Sequence, residues 1–339
     1  MKISDINIPD RLIAQDPLLE RDKCKLLCLD KKSGSLKHII FDDICSLFNP
    51  GDLVIFNNSR VVKARFDGNK LTGGKLELFL LRPVYGYTNR WYSLIKGKNI
   101  KNDTVINIAG SDLKARIHSH NEDGTFIVIF DDKIDITKMM EEFGRLPLPP
   151  YIKRMPNTDD AKYYQTIFAS EHGSVAAPTA ALHFTDLLIK RIKDKGVNMG
   201  FVTLHVGYGT FSMVRDLDKH IMHEEYYSVP LELAEMVRKC KESSSRVWAV
   251  GTTVIRTLES AFDNNIELCK PKGNTSLFIR PGYKFKVVDA VITNFHHPET
   301  TLIQLVSAFA GVENIVKAYG EAVNKEYRLL SYGDAMAIM

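Results

Sequence analysis

Apolar and polar positions change rhythm twice along this chain. Between residues 60 and 133, short apolar-rich runs are separated by Gly, Asn and Asp. The runs at 75–81, 91–96, 104–108, 113–117 and 125–130 have the length of half-buried strands. Their turn-rich spacing predicts a small antiparallel barrel. Residues 136–143 then carry a helical spacing that Gly144 closes, and Pro147, Pro149 and Pro150 exclude regular structure after it. From residue 160 onward, amphipathic segments alternate with short, wholly apolar runs. Helices are expected at 186–195, 231–242, 254–263, 300–310 and 313–326, and strands at 199–204, 247–250, 277–279 and 287–293. Such alternation predicts an α/β layer or barrel. The apolar run 52–56 is expected to join the same sheet. The simplest arrangement is an α/β, barrel-like main domain formed by residues 1–59 and 146–339, with an antiparallel β-barrel domain inserted at 60–145.

The helix at 186–195 has clear boundaries. Thr185 suits the N-cap, Asp186 the first turn, the last turn is rich in Lys, and Gly196 can end it. Before it runs Gly173-Ser-Val-Ala-Ala-Pro-Thr-Ala-Ala-Leu-His-Phe184, built largely of small residues with one imidazole. A loop poor in β-carbons lets a ligand approach the backbone, and a helix N-terminus offers it free N–H groups. Small residues also fit a tight core crossing, but a crossing does not require His183.

At 339 residues the chain is long enough for two domains. Its net charge of +4 permits an RNA partner without requiring one. No run of about 18 apolar residues is present to span a membrane, and residues 1–15 lack the apolar core of a signal peptide. The five cysteines (24, 28, 45, 240 and 269) are scattered and odd in number, which suits free thiols in a reducing cytoplasm. Cys24 and Cys28 lack a third nearby thiol for an iron–sulfur cluster, since Lys31 and Lys32 follow. They fit a strand beginning at Lys25.

Further strand–turn units follow the small-residue loop. They are Thr203-Leu-His-Val-Gly-Tyr-Gly-Thr-Phe211, Val250-Gly-Thr-Thr-Val-Ile-Arg-Thr-Leu-Glu259 and Val291-Ile-Thr-Asn-Phe-His-His-Pro298. The chain closes on Tyr327-Arg-Leu-Leu-Ser-Tyr-Gly-Asp-Ala-Met336. With Leu12-Ile-Ala-Gln-Asp-Pro17, Phe56-Asn-Asn-Ser-Arg-Val-Val-Lys-Ala-Arg65 and Gly144-Arg-Leu-Pro-Leu-Pro-Pro-Tyr-Ile-Lys-Arg154, these motifs resemble, in order and almost end to end, the S-adenosylmethionine:tRNA ribosyltransferase-isomerase family of queuosine biosynthesis. The resemblance implies an enzyme that transfers and isomerises the ribosyl group of S-adenosylmethionine. The acceptor is 7-aminomethyl-7-deazaguanine in the wobble position of a tRNA, and the products are epoxyqueuosine-tRNA, adenine and methionine. S-adenosylmethionine is then a consumed substrate, and no cofactor or metal is implied. The expected setting is a cytoplasmic monomer with no membrane partner. The sequence departs from the family pattern at Tyr208, where a small Ala is expected, and at His297 and Glu299, where Leu and Lys are usual. Ala181 replaces Gly, Leu146 replaces Met and Lys25 replaces Arg.

The sulfonium of S-adenosylmethionine acidifies its 5′ protons, so the implied chemistry needs a base, a donor to departing adenine, a carboxylate clamp and a pocket for the modified base. Histidine titrates near neutrality, which makes His183, His205 and His296 the catalytic candidates. His205, inside an apolar strand, equally fits a satisfied core residue, whereas His296 ends a strand where α/β folds hold ligands. Substrate contacts are expected from Ala177, Thr179, Gly207, Gly209, Thr252 and Asn294. Arg256 and Glu259 share a helix face and form either a site pair or a surface pair. Thr252 and Thr253 can cap that helix. Arg280 offers a fork for the methionine carboxylate or stabilises a turn. Tyr332 and Asp334 belong to a Ser-Tyr-Gly-Asp turn. His220 and His223 fit a solvated or RNA-facing loop better than a metal site.

For RNA, Arg60, Lys63 and Arg65 lie in a stretch to Lys75 opposed only by Asp67, and Arg145 follows the barrel. Residues 68–75 miss the phosphate-cradling loop by one residue in spacing and by Leu76 where Ser or Thr is needed. Two other classes compete with the transferase. A methyltransferase needs a Gly-rich loop after the first strand of a doubly wound sheet, which is not found. A pure RNA-binding module needs basic and aromatic surface, not loops dense in His, Arg and small residues.

Overall fold

A computed structural model describes residues 2–211, 214, 216–217 and 219–339. Strands β1 (Lys25–Leu29), β2 (Leu36–Ile40), β3 (Leu53–Asn57) and the short β4 (Ser59–Val61) come first. They lead into β5 (Arg65–Lys70), β6 (Lys75–Pro83), β7 (Arg90–Gly97), β8 (Val105–Ile108), β9 (Lys114–His120) and β10 (Phe126–Phe130). These last six close into an antiparallel barrel in the order β10-β7-β6-β5-β8-β9. Closure leaves no unpaired edge. Alternate side chains, among them Phe66, Leu78, Leu80, Ile106, Ile117 and Val128, are fully buried inside. Helix α1 (Ile136–Phe143), capped by the Asp135 side chain, packs Ile136, Met139 and Met140 on the barrel. β5 was not expected as a strand, because Gly68 and Asn69 interrupt its alternation.

After α2 (Thr158–Tyr163) and β11 (Glu171–Ser174), the chain alternates helices and strands: α3 (Asp186–Asp194), β12 (Asn198–Leu204), β13 (Glu225–Ser228), α4 (Leu231–Glu242), β14 (Val247–Val250), α5 (Thr252–Ala261), β15 (Lys272–Thr275), β16 (Ala290–Asn294), α6 (Thr301–Ala310), α7 (Val312–Asn324) and β17 (Ala335–Ile338). Nine strands form one sheet in the order β15-β13-β12-β3-β14-β16-β17-β1-β2. Its centre, β12-β3-β14-β16, is parallel, and β3, β14 and β16 are buried throughout. Strands covered on both faces read as continuous apolar runs, which is why 52–56 and 247–250 were legible.

The expected α/β barrel is not formed among the described residues. A barrel of that kind needs parallel strands with a common tilt and stagger. Here β17 runs antiparallel to β16, β1 pairs with β2 antiparallel, and β13 and β15 add an antiparallel margin, so the sheet is mixed and open. Residues 277–279 do not form the expected strand either. The Arg256 guanidinium donates to the Leu277 carbonyl at 3.1 Å, taking an acceptor that a ladder would use. At α3 the terminal signals hold: the Thr185 hydroxyl accepts from the Leu188 N–H at 3.3 Å, and Gly196 follows with φ +79°.

Candidate active site

The parallel strands share one direction, so their C-terminal ends stand together, where open α/β sheets bind ligands. A cavity of about 320 Å³ opens there. One wall is the small-residue loop, with Ala176, Ala177 and Thr179. A second is the turn from β14 into α5, and a third is the end of β16 with Asn294 and His296. Tyr151 and Lys153 come from the proline-rich segment, where Lys153 reads from the sequence as a phosphate contact and not as part of a cavity wall. The N-cap of α5 is Gly251 at φ +93°, a left-handed conformation that suits glycine. Thr252 and Thr253 are therefore the first helical residues and not the caps, and the positive end of the α5 dipole borders the cavity.

The three histidines are placed differently. His296 lines the cavity, and its Nε2 lies 2.8 Å from the Thr293 hydroxyl. Burial holds its pKa down at about 4. His183 is buried behind the wall, with Nδ1 3.2 Å from Cys24 Sγ and Nε2 3.2 Å from Asn294 Nδ2. Its ring packs at 5.0 Å from that of Phe41, and burial pushes its pKa down to about 4. His205 does not line the cavity. It stacks on Tyr226 and sits under Gly173, where an added Cβ would stand 3.0 Å from the imidazole. At φ +139°, Gly173 is needed for both its conformation and this contact.

These depressed values make stability pH-dependent. The folded values lie below the ordinary histidine value near 6.5, so the unfolded chain binds protons first as pH falls. Stability should be full above about pH 6.5 and decline towards pH 4, with a slope of up to about 1.4 kcal/mol per pH unit for each histidine. Urea unfolding at pH 7.5 and 5 checks this, and His183→Phe should flatten the dependence.

The other expected residues divide. Ala177, Thr179, Thr252 and Asn294 line the cavity. Arg256 and Glu259 do not pair with each other. Arg256 forms a buried ion pair with Glu225, which also accepts from the Gly207 N–H at 2.7 Å. Glu259 accepts from the N–H groups of Lys286, Val287 and Val288. Gly209 packs against His223. Arg280 is exposed and bonds the Leu217 carbonyl at 3.5 Å, away from the cavity. The Tyr332 hydroxyl donates to Asp160 at 2.7 Å, and Arg154 grips the same carboxylate through both terminal nitrogens, pinning the proline-rich segment. Asp334 accepts from the N–H groups of Lys25 and Arg328. Tyr208 turns its ring edge-on to Phe79 of β6, so the bulky departure packs on the barrel.

The RNA candidates stand at the junction of barrel and sheet, and acidic neighbours engage most of them. Lys63 reaches Glu141, Arg65 reaches Glu77, and Arg145 reaches Asp67 and Glu77. Arg60 lies on β4, opposite His172 of β11. Among the described residues, no group of three or more His, Cys, Asp or Glu side chains is arranged to hold a metal ion, and no helix is long and apolar enough to cross a membrane.

Fold and cavity together define a mixed α/β protein with a cavity at its parallel strand ends and a six-stranded antiparallel β-barrel in the same chain. The chain belongs to the family described as queuosine biosynthesis protein, whose profile matches residues 3–338. It is 46% identical over 344 residues to the S-adenosylmethionine:tRNA ribosyltransferase-isomerase of Clostridium kluyveri, and 45% identical over 345 residues to that of Sulfurihydrogenibium sp. (strain YO3AOP1). Both alignments cover 100% of each chain. The crystal structure of S-adenosylmethionine tRNA ribosyltransferase from Thermotoga maritima is 35% identical, with a TM-score of 0.56 and 98% coverage of both chains.

Proposed function

We infer that the cavity at the strand ends is where this chain carries out the reaction of its family. The chain is an S-adenosylmethionine:tRNA ribosyltransferase-isomerase that forms epoxyqueuosine in tRNA during queuosine biosynthesis. The observation that carries this conclusion is the end-to-end identity with enzymes of that name. A cavity of about 320 Å³ lies within the range of small-molecule sites.

In our reading His296 is the base. Its imidazole is neutral at physiological pH, and in the tautomer whose Nε2–H donates to the Thr293 hydroxyl the Nδ1 lone pair meets the 5′ proton acidified by the sulfonium. Adenine leaves with the electron pair of its glycosidic bond and takes up the proton that His296 has removed, while the positive end of the α5 dipole stabilises the developing charge. The amine of 7-aminomethyl-7-deazaguanine attacks the ribosyl fragment, and methionine departs as a neutral thioether. Lys153 at the cavity wall suits the methionine carboxylate better than Arg280 does. His183 holds the wall from behind, and His205, Gly207, Gly209, Arg256, Glu259, Tyr332 and Asp334 shape the loops around it. Residues 1–59 and 146–339 form the catalytic domain and 60–145 the inserted barrel. Arg60, Lys63, Arg65 and Arg145 at their junction meet tRNA phosphates, exchanging intramolecular carboxylates for them. The enzyme acts as a cytoplasmic monomer.

The test uses two anticodon hairpins that differ only at the wobble base. With S-adenosylmethionine and the hairpin carrying 7-aminomethyl-7-deazaguanine, adenine should be released. With guanine in its place, none should appear. Equal release from both would remove the RNA base from the reaction.

A further inference from the structure

Asn294, the last residue of β16, is 2% exposed and forms part of the cavity wall. Its Nδ2 lies 3.4 Å from the Leu330 carbonyl oxygen and 3.2 Å from His183 Nε2. A carbonyl oxygen only accepts, so the nitrogen side of the amide must face inward. Two consequences follow. His183 Nε2 must also accept, so the ring proton sits on Nδ1, facing Cys24 Sγ at 3.2 Å. Asn294 Oδ1 is then left buried at the cavity wall, with no partner among the described residues.

A second polar atom stands in the same condition. Val250 of β14 pairs with Ile292 of β16, so the turn into α5 and the end of β16 are neighbours. Thr253, in the first turn of α5, lines the cavity and its Oγ1 is likewise buried without a partner. Two residues of the cavity wall, on adjacent strand ends, therefore carry a buried unmet acceptor and a buried unmet hydroxyl. Buried polar groups are nearly always satisfied, and a ligand edge carrying a donor beside an acceptor would satisfy both. Adenine has that edge, an exocyclic amine flanked by ring nitrogens. The Watson–Crick edge of a guanine-type base also sets an acceptor, O6, beside a donor, N1–H, so the experiment below tells the two bases apart.

We propose that Asn294 Oδ1 accepts from the exocyclic amine of the S-adenosylmethionine adenine, that the Thr253 hydroxyl donates to a neighbouring ring nitrogen, and that His183 is the positioning residue holding the Asn294 amide in this sense. The proposal rests on reading the cavity as the site of ribosyl donation. The neutral, Nδ1-protonated ring of His183 accepts from Nδ2 and keeps the amide from turning over. Without it, Nδ2 can swing towards the cavity and oppose the amine. His183 so contributes to donor specificity without touching the reacting atoms.

The test compares kcat/KM for S-adenosylmethionine and for its analogue bearing unsubstituted purine, with the modified hairpin present. Removing the amine also changes how readily the base departs, so the informative quantity is the change in the ratio between enzyme variants. Asn294→Leu should shrink the preference for adenine by about 10- to 100-fold. His183→Leu should shrink it similarly, whereas His183→Gln, whose amide oxygen can accept in place of Nε2, should retain it. A merely structural His183 would lower the melting temperature of His183→Leu and leave the ratio unchanged. A second measurement needs no variant: free adenine should inhibit the wild type at least about tenfold more strongly than free purine. An unchanged ratio in Asn294→Leu, or equal inhibition by the two bases, overturns the proposal. So does an Asn294→Leu effect confined to the KM of the hairpin, which would give the amide to the RNA base. If the wild type releases neither base, the underlying reading of the cavity fails as well. If it releases both without preference, only the amide assignment fails.

Discussion

Replacing His296 by Ala should lower the single-turnover rate by roughly 10²–10⁴-fold, the usual cost of losing a positioned acid or base. The imidazole stands in the cavity wall and is uncharged at neutral pH because burial depresses its pKa to about 4. Its loss also has a structural cost, since Thr293 Oγ1, fully buried, loses its partner at 2.8 Å. An orphaned buried hydroxyl costs roughly 1–3 kcal/mol. The two effects separate when melting temperature and single-turnover rate are measured on one sample. A large rate loss with a modest fall in melting temperature fits a base. A near-normal rate in a destabilised protein would make His296 a core histidine.

Ala177→Leu should abolish detectable turnover while leaving the fold standing. Ala177 borders the cavity on the small-residue loop, so a larger side chain intrudes where the donor must lie. Ala177 also belongs to a buried cluster with Val61, Leu182 and Tyr332, which leaves the cavity as the open side of the residue. If the side chain turned into that cluster instead, overpacking would cost roughly 1–3 kcal/mol and the melting temperature would report it. Normal turnover with normal stability would mean that the loop does not border the donor site.

The fold was legible where one rule governs a segment. The helix 231–242 shows a single amphipathic face, and the barrel strands are set off by turn residues. Strand direction and closure were not legible, because they depend on β17 entering antiparallel to β16 from the far end of the chain. The strand expected at 277–279 failed for a similar reason, since the Leu277 carbonyl is taken by Arg256, distant in sequence. In the site, the small-residue loop and His296 were readable from their places beside a helix start and a strand end. The partner of His183 was not: Cys24 is 159 positions away and belonged, as a sequence feature, to a strand. The basic stretch from Arg60 looked nearly unopposed because Glu77 and Glu141 reach it only through the fold. Arg256 and Glu259 shared a helix face as expected, yet each found a different long-range partner.

The central claim is that this chain consumes S-adenosylmethionine as a ribosyl donor, and mass analysis of a complete reaction tests it most directly. The purified protein, S-adenosylmethionine and the hairpin carrying 7-aminomethyl-7-deazaguanine are incubated, and small molecules and RNA are weighed from the same tube. The account predicts adenine and methionine in equal amounts, matched mole for mole by RNA that has gained the rearranged ribosyl group. S-adenosylhomocysteine together with RNA heavier by one methyl group would contradict it.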